Sequence, residues 1–116
     1  MPTPADVRRI ALALPGVREI DHWGRPAFRT KKRIFAVIRP DGLYLHLPVE
    51  RKVFLFEADP ETFVRLMWGK TAEVIVPLKR ISGKELAALL REAWESASPP
   101  PAKTKRPPAK KRVSSR

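Results

Sequence analysis

Cations spaced for phosphate contact are the chemistry this chain offers most clearly. Arg25, Arg29, Lys31, Lys32 and Arg33 fall in the stretch His22-Trp-Gly-Arg-Pro-Ala-Phe-Arg-Thr-Lys-Lys-Arg-Ile-Phe-Ala-Val-Ile38. Such side chains can grip phosphates beside a groove, a contact that positions a protein on nucleic acid without reading its bases. A second set lies further on: Lys103, Lys105, Arg106, Lys110, Lys111, Arg112 and Arg116, with no acid from Pro99 onward. Cations on a flexible segment neutralise phosphates whatever the sequence. Both sets also have plainer accounts. Charge at a turn discourages edge pairing of strands, and a basic tail keeps a chain in solution. Trp23, Phe28, Phe35 and Tyr44 could stack on unpaired bases, although aromatic side chains more often fill a core.

Other chemistries find less support. His22 and His46 are the only histidines. With Asp21 they would make a metal site only if the fold brought them together, and no metal is expected. Glu19 with Asp21, and Glu57 with Asp59, are paired carboxylates, but acid–base work needs a pocket that separates their pKa values. The chain has no cysteine, which excludes disulfides, thiolate zinc sites and thiol catalysis. Serine-nucleophile motifs and phosphate-cradling glycine loops are absent. The expectation is a protein that is not an enzyme and needs no cofactor.

The totals agree with an anionic partner. Among 116 residues, 24 are Lys or Arg and 12 are Asp or Glu, a formal net charge of +12. Seven of those 24 cations and none of the 12 acids lie beyond Ser98, so the body holds 17 cations against 12 acids. This balance favours nucleic acid, acidic protein or anionic lipid as partner. No apolar run approaches the ~20 residues that span a bilayer, and no secretory signal is visible. No membrane association is expected, and a cytoplasmic location is.

The elements that must position these residues can be read in order. Thr3-Pro4-Ala5-Asp6 starts a helix, with Thr3 as cap and Val7, Ile10, Ala11 and Leu14 at helical spacing. Pro15-Gly16 ends it. Val17 to Asp21 is a short extended piece. Arg25 to Thr30 and Arg33 to Arg39 are the two arms of a hairpin with Lys31-Lys32 at its turn. Pro26 lacks an N–H, which suits an edge or a strand start. In the second arm Ile34, Ala36 and Ile38 share one face, and Phe35 and Val37 the other. Pro40-Asp41-Gly42 is a turn, and Leu43, Leu45 and Leu47 alternate with Tyr44 and His46. Three strands joined by two tight turns make an antiparallel meander, with the basic tip at one end and the Asp41 turn at the other.

Pro48 to Ala58 reads as a helix. Asp59 is expected to cap a further short helical turn carrying Phe63, Leu66 and Met67, broken at Trp68-Gly69-Lys70. Glu73 to Leu78 is a β-rich run in which Pro77 suggests an edge. Ser82-Gly-Lys-Glu85 is a capping box. It opens a final helix whose Leu86, Leu89, Leu90, Ala93, Trp94 and Ala97 line one face and should pack across the sheet. From Ser98 the composition turns to Pro, Ala, Lys, Arg and Ser, which cannot bury enough apolar area to order itself. The fold class is therefore α+β: an antiparallel meander flanked by an N-terminal and a C-terminal helix. Residues 1–97 are expected as the domain and 98–116 as a disordered basic tail.

Several short motifs, in order, resemble the MmcQ/YjbR family of small bacterial proteins. They are Ala13-Leu14-Pro15-Gly16-Val17, Trp23-Gly24-Arg25-Pro26-Ala27-Phe28, Phe35-Ala36, the Pro40-Asp41-Gly42 turn, the Asp59-Pro60 start, and Glu85-Leu86 leading to Trp94. The resemblance covers roughly residues 3 to 97. It implies a compact α+β fold, similar to secretion-chaperone and frataxin-like architectures. It also implies DNA binding, which the family owes to its likeness to a double-wing motif in a phage transcription factor. It brings no catalytic residues. The chain departs from the family pattern in its basic tail and in the short connection from Met67 to Glu73.

These readings point to non-sequence-specific DNA binding. The contacts would come from a basic hairpin wing (Arg25, Arg29, Lys31, Lys32, Arg33) and a polycationic tail (Lys103, Lys105, Arg106, Lys110, Lys111, Arg112). A monomer is favoured, and nucleoid association would follow. The alternative is a chaperone-like interaction module that binds a peptide or an acidic protein on its sheet, signed by an apolar patch around Phe35, Val37 and Tyr44.

Overall fold

The structure, a computed structural model, describes residues 2–98. Its first helix, α1 (Pro4–Leu12), opens with reciprocal capping. The Asp6 N–H donates to the Thr3 hydroxyl at 3.3 Å and the Thr3 N–H donates to the Asp6 carboxylate at 2.8 Å. Pro4 occupies the first turn, where its missing N–H costs nothing. After Pro15-Gly16 the chain forms four strands in succession: β1 (Arg18–His22), β2 (Arg25–Arg29), β3 (Ile34–Arg39) and β4 (Gly42–Leu45). The expected meander is thus four-stranded, because the short piece before His22 pairs with β2 along its whole length. Helix α2 (Val49–Ala58) crosses from β4 to the last hairpin, β5 (Val64–Trp68) and β6 (Thr71–Val76), and α3 (Gly83–Ala97) closes the fold. All neighbours in the β1-β2-β3-β4-β6-β5 sheet are antiparallel.

Two expected features are corrected here. Val64–Trp68 is a strand and not a helical turn. Asp59 does receive the N–H groups of Thr62 and Phe63, but this turn lasts one step. Trp68 then pairs with Thr71 across a two-residue Gly69-Lys70 turn, with Gly69 at φ 64°, so a glycine that looked like a helix breaker makes a hairpin instead. The second correction concerns Pro77. It suggested an edge, but β6 is an interior strand and Pro77 lies one residue past it. Pro26 sits at the start of β2, one of its two expected places, before the β2–β3 ladder begins at Ala27.

The three helices share one face of the sheet. Val7 and Ala11 of α1, Leu55 and Phe56 of α2, and Leu86, Leu89, Leu90, Ala93 and Ala97 of α3 join Phe28, Leu43, Leu45, Val74 and Val76 in one core. Helix α3 lies across β3 and β4, with α1 against it. Its start is the capping box expected at Ser82 and Glu85. Gly42 is required by two separate facts. Its φ is 142°, and a Cβ there would lie 2.7 Å from the Val76 carbonyl oxygen.

A bulge in the hairpin decides which residues face the core. Phe28 pairs with Ala36 but Arg29 pairs with Ile34, so Phe35 is the extra residue. A bulge places two successive residues on one side of the strand. Phe35 and Ala36 accordingly both enter the core at 0 % exposure, while Ile34 and Val37 line the opposite face. The simple alternation that grouped Phe35 with Val37 fails at this one residue.

Candidate nucleic-acid interface

The hairpin tip is built on Thr30. Its side chain is buried and its hydroxyl is fully used. The proton goes to the Ala97 carbonyl oxygen at 2.8 Å, and the oxygen receives the N–H groups of Lys32 and Arg33 at 3.1 and 3.3 Å. The first bond ties the tip to the end of α3. Trp94, one turn earlier, donates its indole N–H to the Pro15 carbonyl at 3.0 Å, so both sides of the helix end are held. Ser98, the last described residue, lines the same depression as Thr30 and Lys31. Glu95 also lines it, facing Arg91 at 3.7 Å.

The expected wing residues have different fates. Lys31 and Lys32 are exposed at the tip. Arg29 turns back on the tip and donates to the carbonyls of Thr30 and Lys31 at 2.9 and 3.2 Å, bracing the turn while keeping its charge. Arg33 Nη1 lies 3.2 Å from Nε2 of His46. Because a guanidinium only donates, that nitrogen must be the unprotonated one. Arg25 sits at the far end of the hairpin, in a groove on the open face. Lys103, Lys105, Arg106, Lys110, Lys111, Arg112 and Arg116 lie outside the described residues.

Sequence reasoning missed Arg18. It stands directly opposite Arg29 in the β1–β2 register, a like-charge pair that disfavours the sheet unless an anion offsets it. The strand alternation could have shown it had Val17 to Asp21 been paired with the hairpin. Among the described residues Arg18, Arg25, Arg29, Lys31, Lys32 and Arg33 have no carboxylate partner within salt-bridge distance, whereas Arg8, Arg9, Arg39, Arg51, Lys52, Arg80 and Arg91 do. Arg65, Lys70, Lys79 and Lys84 are likewise without such a partner, so six of the ten unpaired cations among the described residues lie on one hairpin and its neighbour strand.

The open face carries a groove of about 680 Å³ floored by Ile34, Val37 and Tyr44. Trp23 and Trp68 wall it, from hairpin turns at opposite ends and opposite edges of the sheet. The sheet's twist lifts these two corners toward one another. Burial, with the Glu73 carboxylate adding to it, pushes the Tyr44 hydroxyl up to about 12. Burial first, then the charge of Arg33, lowers His46. The Lys52 ammonium lies 3.5 Å from Glu73, both largely buried.

The remaining candidates resolve into structure. His22 and His46 do not converge, and no three of His, Asp and Glu among the described residues could hold a metal. Glu19 takes both guanidinium bonds from Arg8 at 2.7 and 3.0 Å. Asp21 accepts the Gly24 N–H at 3.3 Å and Asp59 caps its own turn. Of the aromatics considered for stacking, Phe28 and Phe35 are core, and Trp23 is 89 % exposed. The apolar patch expected around Phe35 is instead bounded by Trp23 and Trp68. Among the described residues no helix is long and apolar enough to cross a membrane.

No curated protein matches the chain. A sequence model of the YjbR family matches residues 12–96, most of the chain and nearly all of the folded body. The resemblance read from the short motifs, the six-stranded antiparallel sheet with its layer of helices, and this match agree: the chain belongs to the YjbR family.

Proposed function

We propose that this protein binds DNA without sequence specificity, through the Lys31-Lys32 tip of its hairpin and the cations beyond Ser98 acting as one patch. One observation carries the reading. The Thr30–Ala97 hydrogen bond fixes the end of α3 to the basic tip, so the segment bearing seven further cations and no acid leaves the body beside Lys31. Lys103 follows Ser98 by five residues, a reach of about 17 Å at most. A cation within that reach of Lys31 can engage a neighbouring phosphate of the same duplex, and every further phosphate neutralised along the segment adds to the counterions released. The protein acts by binding and carries out no reaction on its partner.

The test is fluorescence anisotropy with a labelled duplex of random sequence at about 50 and 200 mM salt. Three full-length proteins are compared: wild type, Lys31→Glu with Lys32→Glu, and one whose cations from Lys103 to Arg112 are replaced by glutamine. Seven tail cations and the two tip lysines correspond to a slope of log K against log salt of about −8, and the tail alone to about −6. Both variants should bind more weakly and with a flatter slope. Unchanged affinity in the tip variant, with an intact fold, would remove the hairpin from the reading. Loss of all salt-dependent binding in the tail variant would reduce the body to a carrier.

A second reading, a module that binds a protein partner on its sheet, has one specific observation in its favour: the exposed Trp23 and Trp68 beside an apolar groove.

A further inference from the structure

Neither the tip nor the tail accounts for the groove on the open face of the sheet. Trp23 is 89 % exposed and Trp68 is 62 % exposed. Trp23 is also held at φ 56°, a left-handed conformation that a bulky aromatic residue seldom adopts. Asparagine or glycine would make the same Trp23-Gly24 hairpin turn without strain. An indole kept where it is both strained and wet does not serve the stability of the fold, and strain of this kind gathers at binding sites.

The charges around the groove indicate what fits it. Two of the lining charges are already offset: Arg39 is paired with Asp41 at 2.8 Å, and Glu73 with Lys52. Arg25 lines the groove without a carboxylate partner among the described residues. The Arg18 and Arg29 pair belongs to the same face by the alternation of β1 and β2, with Arg33 and His46 beyond it. An occupant must therefore present flat apolar surface to the indoles and to Tyr44, and negative charge to Arg25, Arg18 and Arg29. An apolar peptide lacks the charge. A duplex keeps its bases stacked on each other.

We propose that the open face binds a single-stranded nucleic acid, with unpaired bases stacked against Trp23 and Trp68 and its phosphates along Arg25 and the Arg18–Arg29 pair. The groove volume of about 680 Å³ lies in the roughly 300–1,000 Å³ range of small-ligand sites, room for a base and its sugar. Stacking tolerates any base because every base has a π face. This site is separate from the duplex contact of tip and tail, and its failure would leave that reading standing.

The experiment titrates the full-length protein with a thymidine oligonucleotide of about 12 nucleotides, within the span of known single-strand sites. Intrinsic tryptophan fluorescence and the anisotropy of an end label are both followed. A uridine oligonucleotide of equal length separates RNA from DNA as the source, and a random duplex is the control. Wild type is compared with Trp23→Asn, which suits the turn, and Trp68→Thr, which suits the strand. Each variant should lose single-strand affinity by about fivefold to a hundredfold while duplex affinity stays within about twofold. The wild-type emission should be quenched by the single strands and far less by the duplex, a result that needs no variant to fold. Equal loss on both probes, or no loss, overturns the inference. So does quenching by a tryptophan-free acidic peptide with none by the oligonucleotides, which would give the groove to a protein partner.

Discussion

Replacing Thr30 with valine isolates the contact that joins the tip to α3. Valine keeps the β-branched shape and removes only the hydroxyl. Two groups lose a partner without penalty: the N–H groups of Lys32 and Arg33 belong to an exposed turn, where water replaces the bond. The Ala97 carbonyl is different. It lies at the end of α3 against a residue that is 4 % exposed, and an acceptor left unpaired in such a place costs about 1–3 kcal/mol. A central figure of about 2 kcal/mol lowers the melting midpoint of a domain this size by about 8–16 °C. Thermal denaturation followed by circular dichroism reads this directly. Thr30→Ser is the control: it keeps the hydroxyl and loses one buried methyl group, worth about 0.8 kcal/mol. On the proposed function, Thr30→Val also weakens duplex binding, because the tail no longer departs from a fixed point beside Lys31. If Thr30→Val melts with wild type, or Thr30→Ser falls as far as Thr30→Val, the hydroxyl is not what holds the tip.

Two other outcomes follow from single residues. Trp23→Asn should raise the melting midpoint, since it relieves a left-handed tryptophan and yields an Asn-Gly turn; relief of about 1 kcal/mol corresponds to about 4–8 °C, and a lower midpoint would show that the indole packs productively. His46 gives a pH dependence. Its folded value is lowered, so the unfolded chain takes up the proton first as pH falls below 6.5, and stability declines until the folded value is reached. This loss begins at higher pH than that of the salt-bridged carboxylates Asp6, Glu19 and Asp41, whose stabilisation goes only as pH falls below their ordinary values near 4. Urea denaturation of wild type and His46→Gln between pH 7 and 5 (about that window) should show the slope only in wild type; equal slopes would place its origin elsewhere.

The folded body was legible where local chemistry dictates local structure. The Thr3 and Ser82 caps mark helix starts because a side-chain oxygen and its backbone N–H lie three residues apart in the chain. The leucines of α3 and the Leu43, Leu45 and Leu47 series found the core because periodicity alone assigns a face to each residue. The hairpin tip at Lys31-Lys32, and its separation from the Asp41 turn, followed from turn residues between alternating runs.

What only the tertiary structure decided shares one physical cause: pairing between strands is not written in either strand by itself. Val64–Trp68 had apolar residues at spacings that serve a helical turn or a strand, and β6 beside it made the choice. The bulge at Phe35 arose from how β2 and β3 register, and that one extra residue sent Phe35 to the core and Ile34 to the open face. The Arg18–Arg29 pair, the Thr30–Ala97 bond across 67 positions of chain, and the groove between Trp23 and Trp68 all join residues that no short window contains. The sequence by itself determined that this protein is a small basic α+β domain with a charged hairpin. Tertiary structure decided which charges remain unpaired, where the tail departs, and that two tryptophans from opposite corners of a twisted sheet face one groove, because twist and register are properties of the assembled sheet and not of any strand within it.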